Sequence, residues 1–373
     1  MFAALIAGAF LSLASAHPDP CATALPRGPA VPAPLVLSTD CGWFSLATDG
    51  TVQRLPVDWY ATHKKPWHPP YGLSYRRTHV GQYLALRHGR VVWRSARRYL
   101  GEDGAGVFGP HSFAFVSWGL RGVLLSNLHG PERLVLHGRN LFPIGFTATG
   151  ELVVSGRRTI VVLSPRGQLS RRLSFRASSS FAFDEATGGV YFVSPAGVLT
   201  VAEGSHVLRL GPAPPGSIAL LGQRLLSFSL AGHVAVVRRS DGGLVASASW
   251  SPRTMIDSGV SVSDDGTLFA FRTVRGNTRK PGWASVYALR AGAHRAQLVY
   301  RHRFQQAGCG YSASIGIRGS ELLYRSDGGQ GPAEADLLRL GGTGVRLTPL
   351  LEALPRKSDS TPGNVFWPAD FRM

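Results

Sequence analysis

Residues Gly259 to Thr273 read GVSVSDDGTLFAFRT. Val260 and Val262 alternate with serines up to the turn residues Asp264, Asp265 and Gly266, after which Leu268, Ala270 and Arg272 alternate with Thr267, Phe269 and Phe271. A period of two is that of a strand, whose successive side chains point to opposite faces. Asp-Gly between two such runs predicts a β-hairpin, because glycine takes a positive φ without steric cost and the resulting turn matches strand twist.

The same design recurs along the chain: Cys41 to Leu55, Tyr83 to Ser95, Phe113 to Asn127, Gly145 to Gly156, Ser180 to Pro195, Ile218 to Leu230 and Ala313 to Ser326. With Gly50, Gly89, Gly122, Gly150, Gly189, Gly222, Gly266 and Gly319 as turns, the spacing averages about 38 residues, close to one four-stranded propeller blade. A second set of turn signals lies between them, at Pro165-Arg166-Gly167, Ala196-Gly197, Asp241-Gly242-Gly243 and Gly341-Gly342. Two hairpins per period make four strands.

On these residues, from about Pro34 to Pro355, the chain resembles the β-propellers of secreted and periplasmic bacterial proteins, of the TolB-like and surface-repeat type. The resemblance rests on the SxDG turn of Ser263 to Gly266 and its weaker echoes. It implies an all-β propeller of four-stranded blades, with seven blades favoured and six or eight as alternatives. The tryptophan-aspartate dipeptide of the better-known propeller repeat does not recur, and Gly232-His233 is isolated. Fold alone does not name a function.

The expected organisation is a signal peptide over 1–16, a proline-rich lead-in over 17–33, the propeller over 34–355 and a tail over 356–373. Phe2 to Leu13 are apolar and are followed by Ala14-Ser15-Ala16, the small-x-small pattern of a cleavage site, so cleavage is expected before His17. The run is too short to span a bilayer, so no transmembrane anchor is expected after its removal. No Lys or Arg precedes it, which leaves a start upstream open. In an exported chain an oxidised cysteine pair is expected. Cys21 with Cys41 closes a short loop, while Cys41 with Cys309 would join the first blade to the last.

The chain carries 40 Lys and Arg against 22 Asp and Glu, a formal charge of +18. Such a charge attracts polyanions, but here the cations are scattered over most repeats, so nucleic acid is expected to bind only nonspecifically and to release with salt. An anionic envelope polymer or an unknown protein are the partners considered, and the chain is read as a monomer. Weak helical signals occur only at Thr348 to Leu354 and Ala61 to Lys65.

The segment RLPVDWYATHKKPWHPPYGLSYRR, Arg54 to Arg77, interrupts the repeats with rings and cations. Trp59, His63, Trp67, His68, Tyr71, Arg76 and Arg77 are its candidate ligand-binding residues, since aromatic faces beside cations stack a sugar or base and hold an anion. Tyr60 and Tyr75 add to its aromatic content; the competing reading is that the rings pack the loop on the propeller. Arg272 to Trp283 is expected as a second, basic loop, and Arg301 to Tyr311 as a third. Phe366 and Trp367 are expected to dock the tail.

No motif for catalysis or metal binding stands out, and no cofactor is expected. The 12 histidines form no close ligand pair, no nucleophile elbow occurs near Ser178 to Ser180, and Asp184 and Glu185 are adjacent, so on a strand they point apart. The reading favoured is an exported, non-catalytic binding or interaction scaffold. The alternative is a propeller enzyme, a hydrolase, lyase or quinone-dependent dehydrogenase, with its site at the channel mouth.

Overall fold

The computed structural model describes residues 19–63, 70–98, 106–117, 120–176, 180–203, 206–251, 254–277, 280–304, 313–326, 334–357 and 364–368. Residues 1–18, which include the expected signal peptide, and Trp67, His68 and Cys309 lie outside them. All eight hairpins expected from the repeat form, and each belongs to a different antiparallel sheet. The fold is an all-β propeller. Eight sheets form where seven blades were the favoured expectation: seven have four strands, and the second, from Leu73–Arg77, Tyr83–Arg87 and Arg90–Arg94, has three among the described residues.

From the third sheet on, strands follow one another across each sheet in chain order, and the opening strands of successive sheets touch between sheets two, three and four and again between sheets five to eight. The first sheet is built differently. Its strands Leu35–Thr39, Gly42–Leu46 and Val52–Arg54 are completed by Asn364–Phe366, which pairs antiparallel with the first of them through Leu37 and Val365. The two far ends of the ring therefore share one sheet. Trp367, next in the chain, is buried in the apolar cluster that joins the eighth sheet to the first.

Buried apolar clusters fill the seams from the second sheet through to the eighth and on to the first. Both faces of a middle strand are covered, so Phe113–Ser117, Gly122–Ser126 and Gly189–Val193 are buried at every position. Strands covered on both faces read as apolar runs, not as an alternation.

The turns repeat at atomic detail. At Thr78, Thr147, Ser164 and Ser194 the backbone N–H donates to the carbonyl four residues on, and the glycine three residues on donates back. In each the hydroxyl also accepts the backbone N–H four residues on, at 3.0–3.3 Å. Ser263 closes the turn of the Gly259 to Thr273 hairpin with the same bonds, one residue wider, to Leu268. Ser or Thr is thus the residue that ends a strand, because its oxygen satisfies a turn donor that would otherwise face water alone.

Helix α1 (Trp59–His63) lies in the connection from the first sheet to the second, and α2 (Thr348–Ala353) follows the eighth and buries Leu350 and Leu351. The stretch from Arg272 to Trp283 is not a loop. Strands Leu268–Asn277 and Lys280–Arg290 run through it, with Arg275 paired to Trp283, because Thr273, Val274 and Ala284 carry the pleated pattern onward. Arg301 to Phe304 likewise belong to the strand Gln297–Phe304; 305–312 lie outside the described residues. Cys21 and Cys41 form a disulfide, the local one of the two pairings. Among the described residues no helix is long and apolar enough to cross a membrane.

Candidate aromatic cleft on the inner strands

A cleft of 650 Å³ opens on the inner side of sheets two to five. One wall is the opening strand of the second sheet and the turn before it. Tyr71, between Pro70 and Gly72, holds a left-handed conformation (φ 59°, ψ 21°). A non-glycine residue in that region carries strain of about 1 kcal/mol or more and persists where its surroundings fix it. Two strand positions beyond buried Leu73, Tyr75 leans on Tyr83, Phe108 and Phe113, with ring centroids 6.3, 6.2 and 5.7 Å away. Despite those contacts Tyr75 stays 44% exposed, and Tyr71 45%.

Phe108 and Phe146, from the opening strands of the third and fourth sheets, form the other wall. Gly106 and Gly145 also line it. A Cβ at Gly106 would lie 2.5 Å from the Phe113 ring and one at Gly145 2.1 Å from the Phe183 ring, so both positions are bare to let rings behind them close in. At the rim stands Glu185, in the turn after Phe181–Asp184, and it is exposed. Its neighbour Asp184 turns away into an ion pair with Arg239.

The described residues among the sequence-predicted ones do not come together in one place. Trp59 stacks on His63 at 4.7 Å and tilts against Trp43 at 5.5 Å, while Tyr60 stacks on Trp43 at 4.7 Å. These rings pack the helix onto the first sheet, with Phe366 of the closing strand against the far side of the group at 5.8 Å from Trp43. Tyr71 lies in the cleft. Arg76 is exposed on the strand face opposite Tyr75, Arg77 is half-buried, and neither lines the cleft. Phe108, Phe146 and Glu185 are cleft residues that the sequence reasoning did not single out. Their shared signal is position: each sits on, or just after, the opening strand of a repeat.

The cleft can hold a ring between tyrosine faces and offer two phenols and one carboxylate at its edge. Its volume falls in the range of roughly 300–1,000 Å³ typical of small-molecule sites. Among the described residues no three His, Cys, Asp or Glu side chains group as a metal site.

No family model and no curated protein matches the chain. Among solved structures it is similar to apo AztD from Citrobacter koseri at 11% identity and a TM-score of 0.44, over 90% of this chain and 98% of that one. It is similar to BamB from Moraxella catarrhalis at 12% identity and a TM-score of 0.41, over 86% and 95%. With Hsv2 from Kluyveromyces lactis the values are 12% and 0.43, over 72% and 93%. Likeness at this level accompanies the shared sheet arrangement and says nothing about ligands.

Proposed function

We propose that the chain is an exported β-propeller that works by non-covalent recognition, with the inner-strand cleft as its binding site. The observation that carries the reading is the pair Tyr71 and Tyr75, nearly half exposed at the edge of a cleft whose other wall is the half-buried Phe108 and the buried Phe146. An aromatic face left open beside a polar handle is what a ring-bearing ligand meets. Support for export comes from the apolar segment at Phe2 to Leu13 with its Ala14-Ser15-Ala16 end, and from the Cys21–Cys41 disulfide.

The ligand class that fits is an uncharged ring, such as a sugar or an aromatic side chain. Among the described residues the charged one lining the cleft is Glu185, and the candidate cations Arg76 and Arg77 do not line it, which favours an uncharged ligand over an anionic polymer here. Glycoside hydrolysis, one form of the enzymatic alternative, ordinarily works with two facing carboxyl groups, and among the described residues the cleft presents that of Glu185.

The test is calorimetric titration of the protein with a panel of wall sugars and aromatic peptides, repeated with Tyr71→Ala and Tyr75→Ala. Loss of either ring should weaken a true ligand by about 1 kcal/mol each. A ligand that binds both variants as well as the parent would place recognition outside the cleft.

A further inference from the structure

The seam between the seventh and eighth sheets carries polar groups where its neighbours carry hydrocarbon. On the seventh sheet Arg272, Val286 and Tyr300 form one cross-strand row; on the eighth, Tyr324, Asp336 and Arg346 form another. Arg272 is fully buried, with its guanidinium 5.8 Å over the Tyr324 ring. Two residues along the same strands, His302 Nε2 stands 3.0 Å from Glu334 Oε2. Beside these groups opens a cleft of 130 Å³ lined by Tyr300, Asp336, Arg339, Arg346 and two glycines of the intervening turn.

Asp336 is the unusual member. Its residue is 1% exposed, it lines the cleft, and its carboxyl has the Tyr300 phenol as a hydrogen-bonding neighbour, while no cation among the described residues bonds to it. A buried carboxyl left this way costs free energy unless it is neutral or meets a cation. Burial pushes its pKa up, and Glu334 adds to that; Tyr300, Arg346 and His302 pull the other way without prevailing. The Tyr300 phenol is itself pushed up, first by burial and then by Asp336 and Glu334. Arg346, the direct cross-strand partner of Asp336, is exposed and makes no hydrogen bond to it. Arg339 is held by Glu321 at 3.1 Å.

A plain cation entering this cleft would be repelled by the two arginines at its mouth, and a plain anion would leave the buried carboxyl on its floor without a cation. A ligand bearing both charges satisfies both. We propose that the cleft binds a small amino acid as its zwitterion, with the ammonium on the Asp336 carboxylate and the Tyr300 phenol oxygen and the carboxylate on Arg346. The volume is well below the roughly 300 Å³ at which drug-sized pockets begin, which restricts the side chain to the size of glycine, alanine or serine. The site is separate from the aromatic cleft, so either proposal can fail alone.

The experiment is calorimetric titration of the full chain with glycine, L-alanine and L-tryptophan, and with acetate and methylamine as half-ligands. Glycine or alanine should bind, tryptophan should not, and each half-ligand should be at least about 10-fold weaker than the best amino acid. Asp336→Asn keeps the shape and removes the charge, and should weaken the amino acid by about 10- to 100-fold. Arg346→Gln alters an exposed side chain, so it keeps the fold; it should weaken the amino acid and leave methylamine unchanged. If Asp336→Asn does not fold, Arg346→Gln and Tyr300→Phe decide: unaltered amino-acid affinity in both overturns the proposal. So does failure of every amino acid to bind, or acetate binding as tightly as glycine.

Discussion

Asp184 and Arg239 stand on neighbouring sheets, and their side chains meet in an ion pair of which only 12% and 10% is exposed. Arg239 also donates to the Tyr191 hydroxyl at 3.2 Å and the Gln223 carbonyl at 2.7 Å, and lies 4.9 Å over the Tyr191 ring. Asp184 accepts in addition from Thr187 Oγ1 at 2.8 Å and the Ala186 amide at 3.2 Å. One guanidinium thus fastens the first hairpin of the fifth sheet to the sixth.

Arg239→Met should leave Asp184 buried without its cation and cost about 3 kcal/mol of stability. Asp184→Asn combined with Arg239→Met should cost less than Arg239→Met alone, because the stranded charge is gone. Urea denaturation of these two variants and of Asp184→Asn alone, beside the parent, completes the cycle; a double variant no more stable than Arg239→Met would mean that the arginine acts by packing only.

The same pair predicts a pH dependence. Burial raises the Asp184 carboxyl, but the hydrogen bonds from Arg239, Thr187 and Ala186 outweigh it, and the net shift is below the ordinary value. A carboxyl lowered in the folded state contributes stability above its unfolded pKa of about 3.9 and loses it as pH falls through the folded value. Between about pH 6 and about pH 3 the urea midpoint should therefore fall more steeply for the parent than for Asp184→Asn.

Two turn glycines with similar backbones should respond differently to alanine. Gly89 has φ +78° and open space around a new Cβ, so Gly89→Ala costs only the left-handed strain, about 1 kcal/mol. Gly50 has φ +85°, and its Cβ would lie 2.3 Å from the Gly28 carbonyl oxygen, which belongs to the lead-in strapped over it. Gly50→Ala should cost about 3 kcal/mol. Equal thermal shifts for the two would show that the lead-in yields freely.

Closure of the ring is testable at Val365, which is fully buried opposite Leu37. Val365→Asp places an unpaired charge between the eighth and first sheets and should cost at least about 3 kcal/mol. Asn364→Asp, one residue earlier on the exposed face of the strand, should change the midpoint little. If the two variants melt alike, the closing strand contributes little to stability.

The hairpins were legible because each carries its own period and its own turn. The sheet count was not, because the marked hairpin shifts place within the sheet. It is the third and fourth strands in the first sheet, the second and third in the next two, and the first and second from there on. A spacing measured between such landmarks wanders even when the architecture repeats regularly.

The cleft was legible only at Tyr71. Its walls come from segments around positions 71–75, 106–108, 145–146 and 185–186, brought together by ring geometry that no local pattern encodes. Arg272 shows the opposite failure. It continues the face of Leu268 and Ala270, but a charged residue ahead of more cations reads as solvent-exposed, whereas the Tyr324 ring and the polar row opposite give it a buried place.

The pairing of Asn364–Phe366 with Leu35–Thr39 also orders events in time. On the ribosome the first three strands of the first sheet are made before the other seven sheets, and its inner edge has no partner until Asn364–Phe366, made after the eighth sheet, emerges. Seven sheets can stack on local contacts while that edge waits, so the nascent chain passes through an arc with one apolar strand bare. An unpaired edge of this kind is the part of a folding intermediate most open to wrong pairing between chains. The late arrival of Val365 and Trp367 is then the step that covers that edge.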